Sequence, residues 1–180
     1  MIISVSGTPG SGKSTVCDIV AKNLGLSRKS AGFFMRSIAK KKGLTLLESA
    51  RLAVEDPSFD RTVDNALRDW GRENDDFVVD SRLAFYFIPT SFKVFLKCNL
   101  EVAAQRIFSD KNQIRKNEAD NSSVKDTLKH VVEREDLERK RYLKYYGVDF
   151  LDESHYDLVV DTVNLSPEQV ANIIISSLKK

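Results

Sequence analysis

Apolar residues in this chain fall into short dense runs, separated by longer stretches in which they recur every three or four positions. Ile2 to Ser6 is a dense run closed by Gly7 and reads as a buried strand. Lys13 to Leu24 carries Val16, Ile19, Val20 and Leu24 at helical spacing, and Gly25 stops it. Ser27 to Ser30 is a weak second strand. Helices are expected over Gly32 to Lys42, ending at Gly43, and over Leu44 to Val54 and Phe59 to Trp70, with Asp56-Pro57 between the last two. Phe77 to Asp80 and Lys93 to Lys97 are short, dense strands. Leu100 to Ser109 reads as a helix running into a polar stretch, Asp110 to Ser123. Val124 to Tyr146 reads as one long charged helix stopped by Gly147, and Leu158 to Val160 as the last strand. Ser166-Pro167-Glu168-Gln169 is a capping box with proline at the first helical position, and the final helix follows to Leu178.

Strands alternating with helices imply an α/β fold with a parallel sheet covered by helices on both faces. No internal repeat or low-complexity segment is visible, and 180 residues suit a single domain spanning 1–180. Two regions hold helices but no strand, roughly Arg36 to Glu73 and Asp110 to Tyr146. They read as excursions from the sheet and as candidate moving parts, since a lid must be weakly attached to close.

Composition narrows the function. An apolar share of 42% supports an ordinary core. A formal charge of +2 and the lack of a basic stripe argue against a nucleic-acid partner. Cys17 falls on a helix and Cys98 ends a strand, which is neither a disulfide framework nor a metal spacing, and fits a reducing compartment. The strand at the N-terminus leaves no room for a signal segment, and no apolar run approaches the ~18 residues a membrane span needs. The expectation is a cytoplasmic protein with no membrane contact, monomeric because no helix face carries an apolar surplus.

Gly7-Thr8-Pro9-Gly10-Ser11-Gly12-Lys13-Ser14 matches the phosphate-loop pattern in full. An apolar strand precedes it and an amphipathic helix follows, as the mechanism requires. Glycines let backbone N–H groups turn inward as an anion nest, and the helix N-terminus adds a positive dipole end. Lys13 is expected to reach the β- and γ-phosphates of ATP or GTP, Ser14 to ligate Mg²⁺, and Thr15 to support the loop or the α-phosphate. Such a loop serves switches, motors and kinases alike.

A kinase for a small anionic acceptor also needs cations for the acceptor phosphate, and arginine suits that work because its planar fork binds phosphate bidentately. Arg36 and Arg82 lie just past strand ends, near the usual binding edge of a parallel sheet. Arg106 lies on the helix entering the polar stretch. Arg134 and Arg141 share one face of the long helix with Glu138 between them; on pattern alone that run reads equally as a solvated charged helix. Asp80 ends its strand where a Walker-B carboxylate would hold Mg²⁺, and reads equally as a turn aspartate. Asp161 is expected to shape the loop Thr162 to Ser166. His130, His155, Trp70, Tyr142, Tyr145 and Tyr146 read as surface or packing residues.

Taken together these stretches resemble the short, archaeal-type cytidylate kinases of the adenylate-kinase-like family. The resemblance rests on Ile3 to Thr15, Ser30-Ala31-Gly32-Phe33-Phe34-Met35-Arg36, Asp80-Ser81-Arg82-Leu83-Ala84, Arg134 to Tyr142, Tyr145 to Asp149 and Tyr156 to Thr162. It implies a core of five parallel strands, an acceptor-binding excursion at about 36–73 and a lid at about 110–133. It implies that Ser30, Arg36 and Arg82 hold the acceptor nucleotide and that Arg106, Arg134 and Arg141 close over the phosphates, with Glu138 as the acidic residue between the last two. Asp64 is a plausible reader of the cytosine N4 amine. Relatives tend to carry a carboxamide where this chain has Arg68, which leaves base choice open. The resulting expectation is γ-phosphoryl transfer from ATP to CMP or dCMP. A kinase for AMP, UMP or a non-nucleotide acceptor and an ATP-driven switch are the rivals.

Overall fold

The structure, a computed structural model, describes residues 1–56, 58–110 and 123–178. β1 (Ile2–Gly7) is buried at every position. α1 (Lys13–Leu24) follows the phosphate loop and is ended by Gly25 in the left-handed region, at φ 67°. β2 (Ser27–Ser30) leads into α2 (Ala31–Lys41), α3 (Leu46–Ala53) and α4 (Ser58–Glu73). β3 (Phe77–Asp80), α5 (Ala84–Phe87), β4 (Phe92–Lys97) and α6 (Leu100–Ser109) come next. The long α7 (Val124–Tyr146), a 3-10 turn at Glu153–His155, β5 (Leu158–Asp161) and α8 (Pro167–Ser177) complete the described chain.

The five strands form one parallel sheet in the order β2-β3-β1-β4-β5, so the weak second strand is real and occupies an edge. Alternate residues of each strand enter opposite faces, as the period of two demands. Ile3, Val5, Val78, Val94 and Leu96 pack with Val16 and Val20 of α1 and Val170 and Ile174 of α8. Ile2, Phe77 and Val79 point the other way, onto Ala31 of α2, Val63 and Leu67 of α4 and Ala84 of α5. A third cluster joins Phe95 of β4 to Tyr142 of α7 through Phe150. The result is the expected three-layer α/β sandwich. Ser4, a buried polar side chain of β1, accepts from the Ser91 hydroxyl at 2.8 Å.

Local chemistry explains the boundaries that pattern alone left approximate. α3 begins at Leu46 rather than Leu44 because Thr45 caps it: Thr45 Oγ1 accepts from the Glu48 N–H at 3.1 Å, and the Glu48 carboxylate accepts from the Thr45 N–H at 2.7 Å. α5 was not expected, since four residues are too few to show a period. The polar stretch expected to be the lid lies outside the described residues between 111 and 122.

Leu67 anchors the acceptor-side helix α4 and is 1% exposed. Leu67→Ala is expected to lower the unfolding free energy by about 2–5 kcal/mol in urea titration. A loss below about 1 kcal/mol would mean that α4 is not docked on the sheet as described.

Candidate active site

The phosphate loop is shaped by what presses on it. Gly7 has φ 143°, and any side chain there would run into the Leu96 carbonyl of β4. Gly10 has φ 71°, and a Cβ would come within 2.7 Å of the Ala103 carbonyl on α6. Both positions therefore need glycine for conformation and for space. Gly12 caps α1 without any side-chain hydrogen bond, which leaves the first N–H groups of the helix for an anion. Lys13 Nζ donates to the carbonyls of Gly7 at 2.9 Å and Thr8 at 2.7 Å. Burial and then the nearby Arg82 guanidinium push its ammonium down to about 7, against the smaller pull of Asp80 and Glu138.

Ser14 and Asp80, singled out as metal ligands, are together. Ser14 Oγ donates to Asp80 Oδ2 at 2.8 Å. Asp80 is 6% exposed, and its other oxygen, Oδ1, is buried with no hydrogen-bond partner among the described residues. A hydroxyl, one carboxylate and an orphaned buried oxygen beside a phosphate nest fit Mg²⁺, which takes few protein oxygens and completes its shell with phosphates and water. Among the described residues no cluster of three or more His, Cys, Asp or Glu forms a self-sufficient metal cage.

A single cavity runs from this corner toward the acceptor side. Lys13, Ser14 and Asp80 line one end, and Arg36, Arg82, Arg134, Glu138 and Arg141 line the rest of its polar wall. Glu138 is the hub. Its Oε2 accepts from Arg82 Nε and its Oε1 from Arg134 Nε at 3.0 Å. Burial favours the neutral acid, but Arg82, Arg134 and Arg141 outweigh it and hold the carboxyl at about 2. Arg82 Nη1 also reaches the Gly7 carbonyl at 3.3 Å, which ties the hub to the phosphate loop. Arg141 is 2% exposed and donates to the Ala50 carbonyl at 3.4 Å and to the Tyr142 hydroxyl at 3.3 Å. The inner face of α7 is thus a buried charge cluster, and the solvated-helix alternative holds only for its outer face.

Asp64 of α4 lines the same cavity, as do the apolar Val63, Leu67 and Met35. It accepts a hydrogen bond from the Tyr146 hydroxyl. Burial raises its carboxyl above the usual range, opposed by that hydrogen bond and by Arg68 and Arg141. Arg68 itself turns to the Asn65 side chain at 3.2 Å and lies over the Phe87 ring, 4.4 Å from its centroid. Of the residues put forward from sequence, Pro9, Gly10 and Gly12 also line the cavity, while Thr8 and Ser11 are buried within the loop and Thr15 is exposed. Ser30 caps α2, its hydroxyl accepting from the Phe33 N–H at 3.2 Å. Arg106 is directed elsewhere: it binds the Thr162 carbonyl at 2.7 Å and the Val163 carbonyl at 3.3 Å, pinning the β5–α8 loop to α6. Asp161 shapes that loop by accepting from the Val163 N–H at 2.9 Å. His155 stacks on Phe85, and Tyr145 donates to the Val54 carbonyl at 2.7 Å.

Arg28 was not singled out, yet it bridges Asp80 Oδ2 and Asp18 of α1, each at 2.9 Å. The available signal was the strand period, which puts Arg28 on the same face of β2 as Ser30, the register partner of Asp80.

The sheet order and the glycine loop at the end of β1 make this a P-loop protein of the α/β kinase type. Residues 3–128 match the family described as AAA domain. Over 176 residues the chain is 35% identical to the cytidylate kinase of Sulfurisphaera tokodaii, covering 97% of this chain and 93% of that one. It is 38% identical to that of Haloarcula marismortui over 181 residues (99% and 90% covered), and 37% identical to that of Methanocella arvoryzae over 183 residues (100% and 99%). The chain belongs to the cytidylate kinase family. Shikimate kinases from Bacteroides thetaiotaomicron (TM-score 0.70, 14% identity, 100% and 99% covered) and Aquifex aeolicus (TM-score 0.57, 20% identity, 99% and 96% covered) share its fold. No described helix is long and apolar enough to cross a membrane.

With Lys13 near half-protonated at neutral pH, a polyphosphate that favours the ammonium should draw in a proton. Calorimetric binding of ATP at about pH 7.5, repeated in buffers of different ionisation enthalpy, should show uptake of roughly 0.7 proton. Lys13→Arg, always charged, should lose that uptake; equal uptake in both proteins contradicts the assignment.

Proposed function

We propose that the chain transfers the γ-phosphoryl group of ATP to CMP or dCMP, giving ADP and the pyrimidine nucleoside diphosphate. One observation carries the reading: a single cavity joins the phosphate loop to four arginines from three separate stretches, Arg36 of α2, Arg82 after β3, and Arg134 and Arg141 of α7. One nucleoside triphosphate does not need that many cations beside Lys13, whereas a second, phosphate-bearing substrate does. The full-length likeness to cytidylate kinases supports cytosine as its base, and Asp64, which lines the same cavity, offers an acceptor for the N4 amine.

Each group then has a physical task. The N–H groups of the loop and Lys13 hold the β- and γ-phosphates. Ser14 and Asp80 would hold Mg²⁺, which would supply positive charge to neutralise the phosphate oxygens. Arg36 and Arg82 grip the acceptor phosphate, and Arg134 and Arg141 spread their charge over the group in transit. An acceptor phosphate oxygen attacks the γ-phosphorus in line as the bond to the ADP oxygen breaks. The attacking oxygen is already anionic, so the protein supplies position and charge rather than a general base. Arg106 acts on the nucleotide indirectly, by fixing the β5–α8 loop. The excursion at about 36–73 would carry the acceptor and the segment at about 110–133 would close over it, excluding water as a competing acceptor.

The test is ADP production from MgATP with CMP, dCMP, UMP, AMP and GMP supplied separately, beside a tube without acceptor. Turnover should depend strongly on acceptor and favour CMP or dCMP. It should fall by at least about a hundredfold in Lys13→Ala while the circular-dichroism spectrum is unchanged. Equal ADP production in every tube would identify an acceptor-independent ATPase instead.

A further inference from the structure

We propose that Tyr146 is the residue that sets base preference: its hydroxyl ties down one oxygen of Asp64 and leaves the other as a lone acceptor for an exocyclic amine on the acceptor base. The inference rests on the reading of the Asp64 end of the cavity as the base pocket.

Tyr146 is fixed before any ligand arrives. Its ring meets Phe87 edge-on at 5.5 Å and Tyr145 at 6.4 Å, and is flanked by Tyr86 and Tyr142 at 5.8 and 6.3 Å. That aromatic cage aims the hydroxyl at Asp64 Oδ2 across 82 positions of sequence. Asp64 is 5% exposed and shares the cavity wall with the apolar Val63, Leu67 and Met35, so leaving its carboxylate short of a partner is costly. A site with one directed acceptor separates two pyrimidines that are almost the same shape. Cytosine places an N4 amine donor where uracil places an O4 acceptor, and a carboxylate oxygen pairs with the first and repels the second.

The hydroxyl also keeps Asp64 charged. Burial favours the neutral acid; the Tyr146 hydrogen bond favours the carboxylate, and so do the charges of Arg68 on α4 itself and Arg141 on α7. Arg36 of α2 lines the same cavity, while α3 and α5 bring Ala50 and Phe87 to this end. Without the hydroxyl the balance shifts toward the protonated acid. A protonated Asp64 donates, and a donor there suits uracil O4 and opposes the cytosine amine. The sign is therefore fixed: removing the hydroxyl relaxes or inverts the preference for cytosine, and raising the pH restores it by ionising Asp64 again.

The experiment compares kcat/KM for CMP and UMP in wild type and Tyr146→Phe, with KM for ATP followed in parallel. The phenyl ring keeps the aromatic packing. The expected result is a CMP-to-UMP ratio lowered at least about tenfold in the variant, carried by KM for CMP, with KM for ATP unchanged and the ratio recovering as pH rises. Asp64→Asn combined with Tyr146→Phe should cost no more discrimination than Asp64→Asn alone, because the hydroxyl acts through that carboxyl. A ratio unchanged in Tyr146→Phe, or additive losses in the double variant, overturns the proposal while leaving the kinase reading intact. A wild type that phosphorylates neither pyrimidine nucleotide overturns both.

Discussion

The active site depends on one buried carboxylate. Arg82, Arg134 and Arg141 come from the end of β3 and from α7 and converge on a small space beside Lys13, where their mutual repulsion opposes assembly. Glu138 makes the arrangement stable by giving one oxygen to Arg82 and the other to Arg134. A buried ion needs such full pairing, since removing one partner leaves an uncompensated charge in a poorly solvated place. The linkage has a definite sign. A carboxyl held at about 2 contributes stability that is present above its ordinary range and lost as pH falls toward 2. Arginines already oriented around a carboxylate are also preorganised for other anionic oxygens.

The same economy appears at the other end of the cavity, where backbone and side chains are held by elements far apart in sequence. β4 and α6 crowd Gly7 and Gly10 into the loop conformation that turns N–H groups inward. Arg28 on the edge strand and Ser14 on α1 both bind one oxygen of Asp80, while the other is buried with no hydrogen-bond partner among the described residues. The sheet order makes this work: β1 lies between β3 and β4, so the phosphate loop meets Asp80 and Arg82 on one side and the α6 wall on the other.

How much of this could be read from sequence followed from how local each feature is. Lys13 and Ser14 were legible because eight consecutive residues, a strand before and a helix after specify the loop without help from the rest of the chain. Asp80 and Arg82 were legible as a strand end and its first turn. Arg28 was not, because its ion pair depends on the β2–β3 register, a contact between residues 52 positions apart. The charged run of α7 looked solvated because eight charges in nine residues, 133–141, show no apolar stripe; the burial of its inner face comes from partners on other elements. Tyr146 read as a packing aromatic, and its ring does pack, but the aim of its hydroxyl is set by α4 and α5. Arg106, for which the family resemblance implied a role at the phosphates, makes hydrogen bonds to the β5–α8 loop that no local pattern in the sequence signals.

The most direct test of the account is the unfolding free energy of Glu138→Gln against wild type at neutral pH and without ligands. A buried counter-ion bound by both Arg82 and Arg134 requires a loss of about 3–5 kcal/mol, since a carboxamide removes the negative charge that both guanidinium groups hold. A change within about 0.5 kcal/mol would show that the arginines do not depend on Glu138 and would contradict the account at its centre.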